Sequence, residues 1–402
     1  MEFELTEGQL LDIANDCWKK IETGLKLDNT EIKALPAYIH PQKKDINGDA
    51  MVLDLGGTNC RAAIVSVDGD NITVGEVAEG DITEMKKSDF SEEDLHASQL
   101  KLIKQLHIVP RGLPVGYCFS YPARSLRNGD AELIKWVKGV NIANMENKPV
   151  GKPLLEYLNK NTDYGFQKIA VVNDTITSLF AGLKNSGHDA YIGLIVGTGT
   201  NMATFYPSGY ISKLKGEKSF ASETPINLES GNFFPPHLTV FDDEVDRKSD
   251  NPGIQRFEKA VSGMYLGQIF RAAARDDGFK GEIDAADLTR MINHPGNYEK
   301  KHVELAYCIY ERSAKLVAAS LAGLIKSLHN INTSIFSIHI MAEGSLFWST
   351  LNQGQMTYSE IVETYLNKII TELGLGKKEV VISKMENANL IGAAIAVINQ
   401  IS

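Results

Sequence analysis

"MVLDLGGTNCRAAIVSV", residues 51–67, is an apolar run, a sharp bend and a second apolar run. The two runs read as buried strands, and Gly56-Gly57-Thr58-Asn59 reads as the turn that joins them. A plain Asn-Gly turn would serve, yet this bend has two successive glycines and an acid, Asp54, just before it. Glycines let backbone N–H groups approach an anion with no side chain in the way, and a threonine hydroxyl adds a donor. The stretch therefore suits a phosphate cradle, with Asp54 placed to meet a hydrated Mg2+ carried by a nucleotide. An ordinary hairpin turn is the competing reading.

A second bend, Gly197-Thr198-Gly199-Thr200-Asn201, sits in the same strand–turn–strand setting inside "YIGLIVGTGTNMATFYP" (191–207). Two such bends can grip an extended anion from both sides, although either alone also reads as a common glycine turn. The chain has no G-x-x-x-x-G-K-[ST] loop. Gly197-Thr198-Gly199 lacks the third glycine of the dinucleotide fingerprint, since Met202 stands there. Any phosphate must be held by hairpins.

The surrounding sequence sets the frame. At 402 residues, two domains are the natural expectation. Apolar content of 43% and charged content of 23% fit a soluble globular protein. A net charge of −10 argues against nucleic acid and anionic membranes as main partners. Cys17, Cys60, Cys118 and Cys308 form neither a metal-type pair nor a disulfide spacing, so reduced thiols and a cytoplasmic location are expected, with no resident metal. The acidic, amphipathic start is unlike a signal peptide. The longest apolar runs, around Leu316–Ile325 and Leu390–Ile398, are too short to span a bilayer and read as buried helices.

Thr6 and Gln9 can form a capping box for a first helix whose Leu10, Ile13, Cys17 and Ile21 share one face. After the opening hairpin a turn leads into a strand at Ile72–Val77. "GLPVGYCFSYPA" (112–123) is strand-rich and precedes the tryptophan-containing loop "KWVKGVNI" (135–142). "KIAVVNDTITSLFAGL" (168–183) is a buried strand feeding a helix, with Asn173 and Asp174 at the junction. A strand in "FSIHIMAEGS" (336–345) and a strand-to-helix unit in "EVVISKMENANLIGAAIAVI" (379–398) follow. The pattern predicts an α/β protein with mixed sheets. Asp174 is the candidate general base, at the carboxyl edge where such folds bind ligands; a helix cap is the plainer use of an aspartate there. Lys138, Glu229 and Glu258 read singly as surface charges.

In order, "LDLGGTNCR", "FSYPA", "WVKG", "VVNDT", "GTGTN", "INLESGNF", "NPGIQRFEKAVSGMYLG" and "AEGSLF" resemble the eukaryote-type hexokinase family over nearly the whole chain. The resemblance implies the actin-like ATPase (ribonuclease-H-like) fold: two lobes with mixed sheets around a central cleft. The small lobe would span 49–172, completed by the C-terminal helix from 387 to 402. The large lobe would span 173–386, with residues 1–48 packing on it. The implied activity is transfer of the γ-phosphate of ATP to the 6-hydroxyl of a hexose, glucose first with mannose and fructose as alternatives, with Mg2+ carried by the ATP. ATP and the hexose are then the expected partners, and the expected state is monomer or homodimer. By the same resemblance Asp174 and Lys138 are catalytic, and Ser120, Lys138, Asn173, Asp174, Asn201, Glu229 and Glu258 line the sugar. Asp54, Gly56, Gly57, Thr58, Asn59 and Arg61 form the first phosphate bend. Gly197, Thr198 and Gly199 form the second, and Gly344 and Ser345 lie near the adenosine. Two positions depart from the family: Val137 stands where a threonine is usual, and Ser230 where a tryptophan is usual.

Overall fold

The two glycine bends lie in different sheets of the computed structural model, and a pair of helices between those sheets links them. The structure describes residues 2–41, 46–69, 71–137, 139–215, 221–275, 278–279, 281–352 and 354–398.

The first sheet runs in the order Asn71–Asp81, Asn59–Asp68, Asn47–Leu55, Val115–Phe119, Ile169–Val172. The first three strands are antiparallel neighbours, and the last two continue the sheet in parallel. The second sheet runs Leu35–Pro36, Glu223–Asn227, Thr200–Pro207, Ala190–Val196, Ser337–Glu343, Glu379–Ser383. It repeats the plan, with antiparallel strands up to Ala190–Val196 and parallel ones beyond. Each glycine bend is thus the tip of a hairpin whose first strand has a parallel neighbour on its other side. The edge strand Asn71–Asp81 runs past the Ile72–Val77 expected from sequence, because only Ala78 in it is buried and its polar residues leave little apolar signal.

The helices Asp174–Gly182 and Ala388–Val397 lie between the sheets and are buried nearly all round, as uniformly apolar helices must be. Missing side chains let the layers touch. A Cβ on Gly116 would overlap the Ala393 carbonyl, and one on Gly392 would overlap the Thr177 carbonyl. A Cβ on Gly193 would stand 2.5 Å from the Thr175 carbonyl oxygen. First sheet, C-terminal helix, Asp174 helix and second sheet therefore stack backbone to backbone. An apolar cluster including Val52, Val65, Ile176, Phe180, Ala203 and Ile395 fills the gaps.

The N-terminal helix Glu7–Gly24 has the expected Thr6–Gln9 capping box and buries Leu10, Ile13, Cys17 and Ile21. It packs on the 32-residue helix Lys300–Ile331, where the Cys17 thiol meets the Ser320 carbonyl. Helix Tyr358–Glu372 packs on the same long helix. In the first unit Trp136 is buried: its Nε1 donates to the Ile142 carbonyl, and its ring meets Tyr121 edge-on at 4.8 Å. Among the described residues, no helix is long and apolar enough to cross a membrane.

Candidate active site

Leu55 pairs with Cys60, so Gly56 to Asn59 form the tip of the first hairpin, closed by Gly56 N–H donating to the Asn59 carbonyl at 2.9 Å. The Asn59 amide donates to Glu79 Oε1 at 2.6 Å, which ties the tip to the neighbouring strand. Asp54 and Arg61 are register partners, and Arg61 Nη2 and Nε reach Asp54 Oδ2 at 2.6 and 3.1 Å. Arg61 Nη1 donates to Asn387 Oδ1 at 3.2 Å, at the head of the C-terminal helix. Asp54 is only 4% exposed. Its other oxygen, Oδ1, is buried with no hydrogen-bond partner among the described residues, the weak Cys118 thiol apart. Burial raises its pKa against the pull of Arg61, and the charge of Asp174 adds to the rise.

In the second bend Val196 pairs with Thr200, and Gly197 N–H donates to the Gly199 carbonyl at 2.9 Å. Thr200 N–H donates to Glu258 Oε2 at 3.0 Å, and a Cβ on Gly199 would stand 2.6 Å from that oxygen. Glu258 therefore braces the bend. Gly344, at φ +114°, lies so close to this turn that a Cβ would overlap the Val196 carbonyl, with exposed Ser345 beside it.

Asp174 is the first residue of its helix, and the cap is its neighbour: Asn173 Oδ1 accepts from Thr175 N–H at 3.0 Å. The plainer use proposed for Asp174 thus falls to Asn173. Asp174 Oδ1 also accepts from Thr175 N–H, at 2.9 Å, and the residue stays partly exposed. Ser120 follows the strand beside Asp54, with its N–H donating to the Leu55 carbonyl at 3.1 Å.

The residues of the second unit that the resemblance assigns to the sugar form one chain of bonds. Asn201 Oδ1 accepts from Met202 N–H at 2.8 Å and Ser230 N–H at 3.1 Å, and its Nδ2 donates to Asn227 Oδ1 at 2.7 Å. Asn227 Nδ2 in turn donates to Glu229 Oε1 at 2.8 Å. Glu229 holds a left-handed backbone, φ 53°, which costs a non-glycine residue about 1–2 kcal/mol. Asn227, together with Asn173, Phe119, Val172 and Ile176, lines a small cavity of about 30 Å³.

Both bends feel one electrostatic field. Glu343, at the carboxyl end of the strand before Gly344, has its pKa pushed up to about 7 by burial; Asp54 and Asp174 add to the rise, while Lys384 and Arg61 oppose it. Its Oε1 is buried without a partner among the described residues. Lys138 lies outside the described residues. Of the two family departures, Val137 packs against the apolar core of the first unit, and Ser230, 1% exposed, reaches Asn201 Oδ1 through its backbone N–H at 3.1 Å and its hydroxyl at 3.5 Å. Among the described residues no group of three or more His, Cys, Asp or Glu side chains is placed to hold a metal ion.

Sequence reasoning passed over Asn227, Glu343 and Asn387. A signal existed for the first: in an extended stretch, residues two apart share a face, which sets Asn227 beside Glu229. Nothing local marks the other two, whose surroundings come from distant segments.

A sequence model described as hexokinase matches residues 1–183, and a second, also described as hexokinase, matches 191–303 and 298–399. The chain is 29% identical over 404 residues to "Hexokinase-1" of Rattus norvegicus, a match that covers 85% of this chain and 42% of that protein. It thus spans about two fifths of the length of the curated relatives it first matches. The solved hexokinase from Schistosoma mansoni complexed with glucose has a TM-score of 0.79 at 23% identity, covering 98% of this chain and 96% of that one. A ROK hexokinase from Thermus thermophilus has a TM-score of 0.52 at 16% identity, covering 87% of this chain and 98% of that one. The fold is the actin-like ATPase fold expected from sequence.

Proposed function

The chain belongs to the hexokinase family, and from that premise we propose that it transfers the γ-phosphoryl group of ATP to the 6-hydroxyl of a hexose. Glucose is the first candidate, as in the Schistosoma mansoni complex, with mannose and fructose next. The observation that carries the reading is the meeting of the two bends: Asp54 and Glu343, from opposite sheets, are each shifted in their ionisation by the same two charges, Arg61 and Asp174.

In this reading residues 49–172, completed by the segment from 387 to 402, form the small lobe, and residues 173–386 form the large one. Gly56, Gly57, Thr58, Asn59 and Arg61 hold the triphosphate from the first side. Gly197, Thr198 and Gly199 hold it from the second, and Gly344 and Ser345 lie toward the adenosine. Magnesium enters as part of the substrate, Mg–ATP, and the buried, unpartnered Asp54 Oδ1 fits a hydrated cation. Ser120, Lys138, Asn173, Asn201, Glu229 and Glu258 orient the hexose.

A sugar hydroxyl is a poor nucleophile, and Asp174 accepts its proton as it attacks the γ-phosphorus. An aspartate carboxylate is a weak base, so proton transfer comes late. Positioning and charge neutralisation supply most of the acceleration. Closure of the lobes on the hexose would exclude water and limit wasteful ATP hydrolysis. That no disulfide joins Cys17, Cys60, Cys118 and Cys308 supports a cytoplasmic setting.

The test is a coupled ADP-release assay across glucose, mannose, fructose and N-acetylglucosamine. Hexose-dependent release is expected, with kcat at least ~10²-fold lower in Asp174→Ala and ATP binding retained. Hexose binding without hexose-dependent release would make the chain a sugar sensor and overturn the proposal.

A further inference from the structure

We propose that Asn227 is a positioning residue for the hexose site, setting the orientation of Asn201 and Glu229 together. The inference rests on the reading above, in which those two side chains face the sugar.

Asn227 sits at the end of the Glu223–Asn227 strand and is 6% exposed. Its Oδ1 accepts from Asn201 Nδ2 at 2.7 Å and from the Glu229 backbone N–H at 3.3 Å, while its Nδ2 donates to Glu229 Oε1 at 2.8 Å. One side chain thus accepts from an amide and donates to a carboxylate. A carboxamide does both through two separate atoms, which lets one side chain span the two partners, and one methylene more would overshoot in so confined a site.

Each bond removes a freedom that sugar recognition cannot tolerate. Asn201 Oδ1 is already committed to the backbone N–H groups of Met202 and Ser230. The bond from Nδ2 to Asn227 fixes the amide plane, so what Asn201 presents to a ligand is an N–H donor in one direction. The bond to Oε1 sets the plane of the Glu229 carboxylate, and the bond from its N–H holds the left-handed backbone from which that side chain projects. Vicinal hydroxyls alternate as donors and acceptors over short distances. A mis-turned amide or carboxylate would therefore present like to like. Ser230, where the family usually has tryptophan, supplies no bulk to wedge these groups, which leaves the hydrogen-bond chain to hold them.

The experiment compares Asn227→Ala and the isosteric Asn227→Asp with wild type. It measures the glucose Kd by calorimetry, the KM for glucose and for ATP, kcat and the melting temperature. Asn227→Asp keeps shape and acceptor but loses the donor and sets a negative charge against Glu229. Both variants are expected to raise the glucose Kd and KM tenfold or more, Asn227→Asp at least as much as Asn227→Ala. The KM for ATP should stay within twofold, and kcat should fall less than the glucose KM rises. Should Asn227→Ala fail to fold, Asn227→Asp alone decides. A glucose Kd within twofold of wild type in Asn227→Asp, or equal losses for ATP and glucose, overturns the assignment. If wild type itself neither binds nor turns over a hexose, it is the functional reading that fails, a result distinct from either.

Discussion

Asp54 and Arg61 have unequal claims on stability. Burial already disfavours the charged form of Asp54, so its carboxylate is held in the fold at a cost that Arg61 only partly offsets. Asp54→Asn should therefore leave the melting temperature unchanged or raise it by a few degrees, while the KM for Mg–ATP rises about tenfold and the glucose Kd stays put. Arg61→Leu should do the reverse to stability, since it leaves a buried carboxylate unpaired and releases Asn387. A loss of about 1–3 kcal/mol is expected there, moderated by Asp54 taking up a proton. Melting curves of the two variants at pH 7 check the pair. A marked loss in Asp54→Asn would mean that the carboxylate is a structural asset.

At the scale of elements, the contact between the Asp174 helix and the C-terminal helix is decisive. It depends on Gly392, whose missing side chain makes room for the Thr177 carbonyl, and on Thr177 Oγ1 donating to Asn389 Oδ1 at 2.8 Å. Gly392→Ala drives backbone against backbone, and neither helix can yield without shifting a sheet. About 1–3 kcal/mol or more of stability should be lost. The rate should fall too, because the displaced helix carries Asp174 at its first turn. Gly8→Ala is the control: a helical glycine with nothing within 4 Å of the added carbon. It should be neutral or stabilising by up to about 1 kcal/mol. Equal melting temperatures for the two variants would show that the helix crossing is looser than its geometry.

Across the whole molecule, two buried histidines, one per sheet unit, make stability depend on pH. His96, on the Glu92–Ile103 helix, and His339, in the Ser337–Glu343 strand, both have pKa values pushed down from 6.5 to about 4 by burial. Asn185 Nδ2 donates to His339 Nε2 at 2.9 Å, so protonation of that nitrogen would forfeit the bond. In each case the unfolded chain takes a proton that the native state refuses. Their stabilisation is present above pH 6.5 and lost as pH falls toward 4. Glu343 acts oppositely: with its pKa raised from 4.5 to about 7, its contribution is present below 4.5 and lost as pH rises through 7. The clean measurement is therefore a difference. Between pH 7 and 5, the double variant His96→Gln/His339→Gln should lose about 2–4 kcal/mol less stability than wild type in denaturant titrations. Parallel profiles would mean that both rings protonate within the fold.

Much was legible in the chain because it is local chemistry. The 3.6-residue spacing of Leu10, Ile13, Cys17 and Ile21 and the Thr6–Gln9 box specify the first helix whatever surrounds it. Glycine pairs between apolar runs specify both hairpins, and the strand-to-helix junction at Asn173-Asp174 follows from an apolar run meeting a cap. What folding alone decided is which distant segments meet. The Asn173 cap and the Asn227–Glu229 bond are local, each between residues two apart, whereas the bond between Asn227 and Asn201 depends on atoms brought within about 3 Å from separate strands. The unpartnered oxygens of Asp54 and Glu343 arise in the same way, from burial by elements far off in sequence. Periodicity and turn chemistry act over a few residues and can be read in order. Desolvation and hydrogen-bond geometry act over a few ångströms in space, and they exist only once the two sheets and the helices between them have closed on each other.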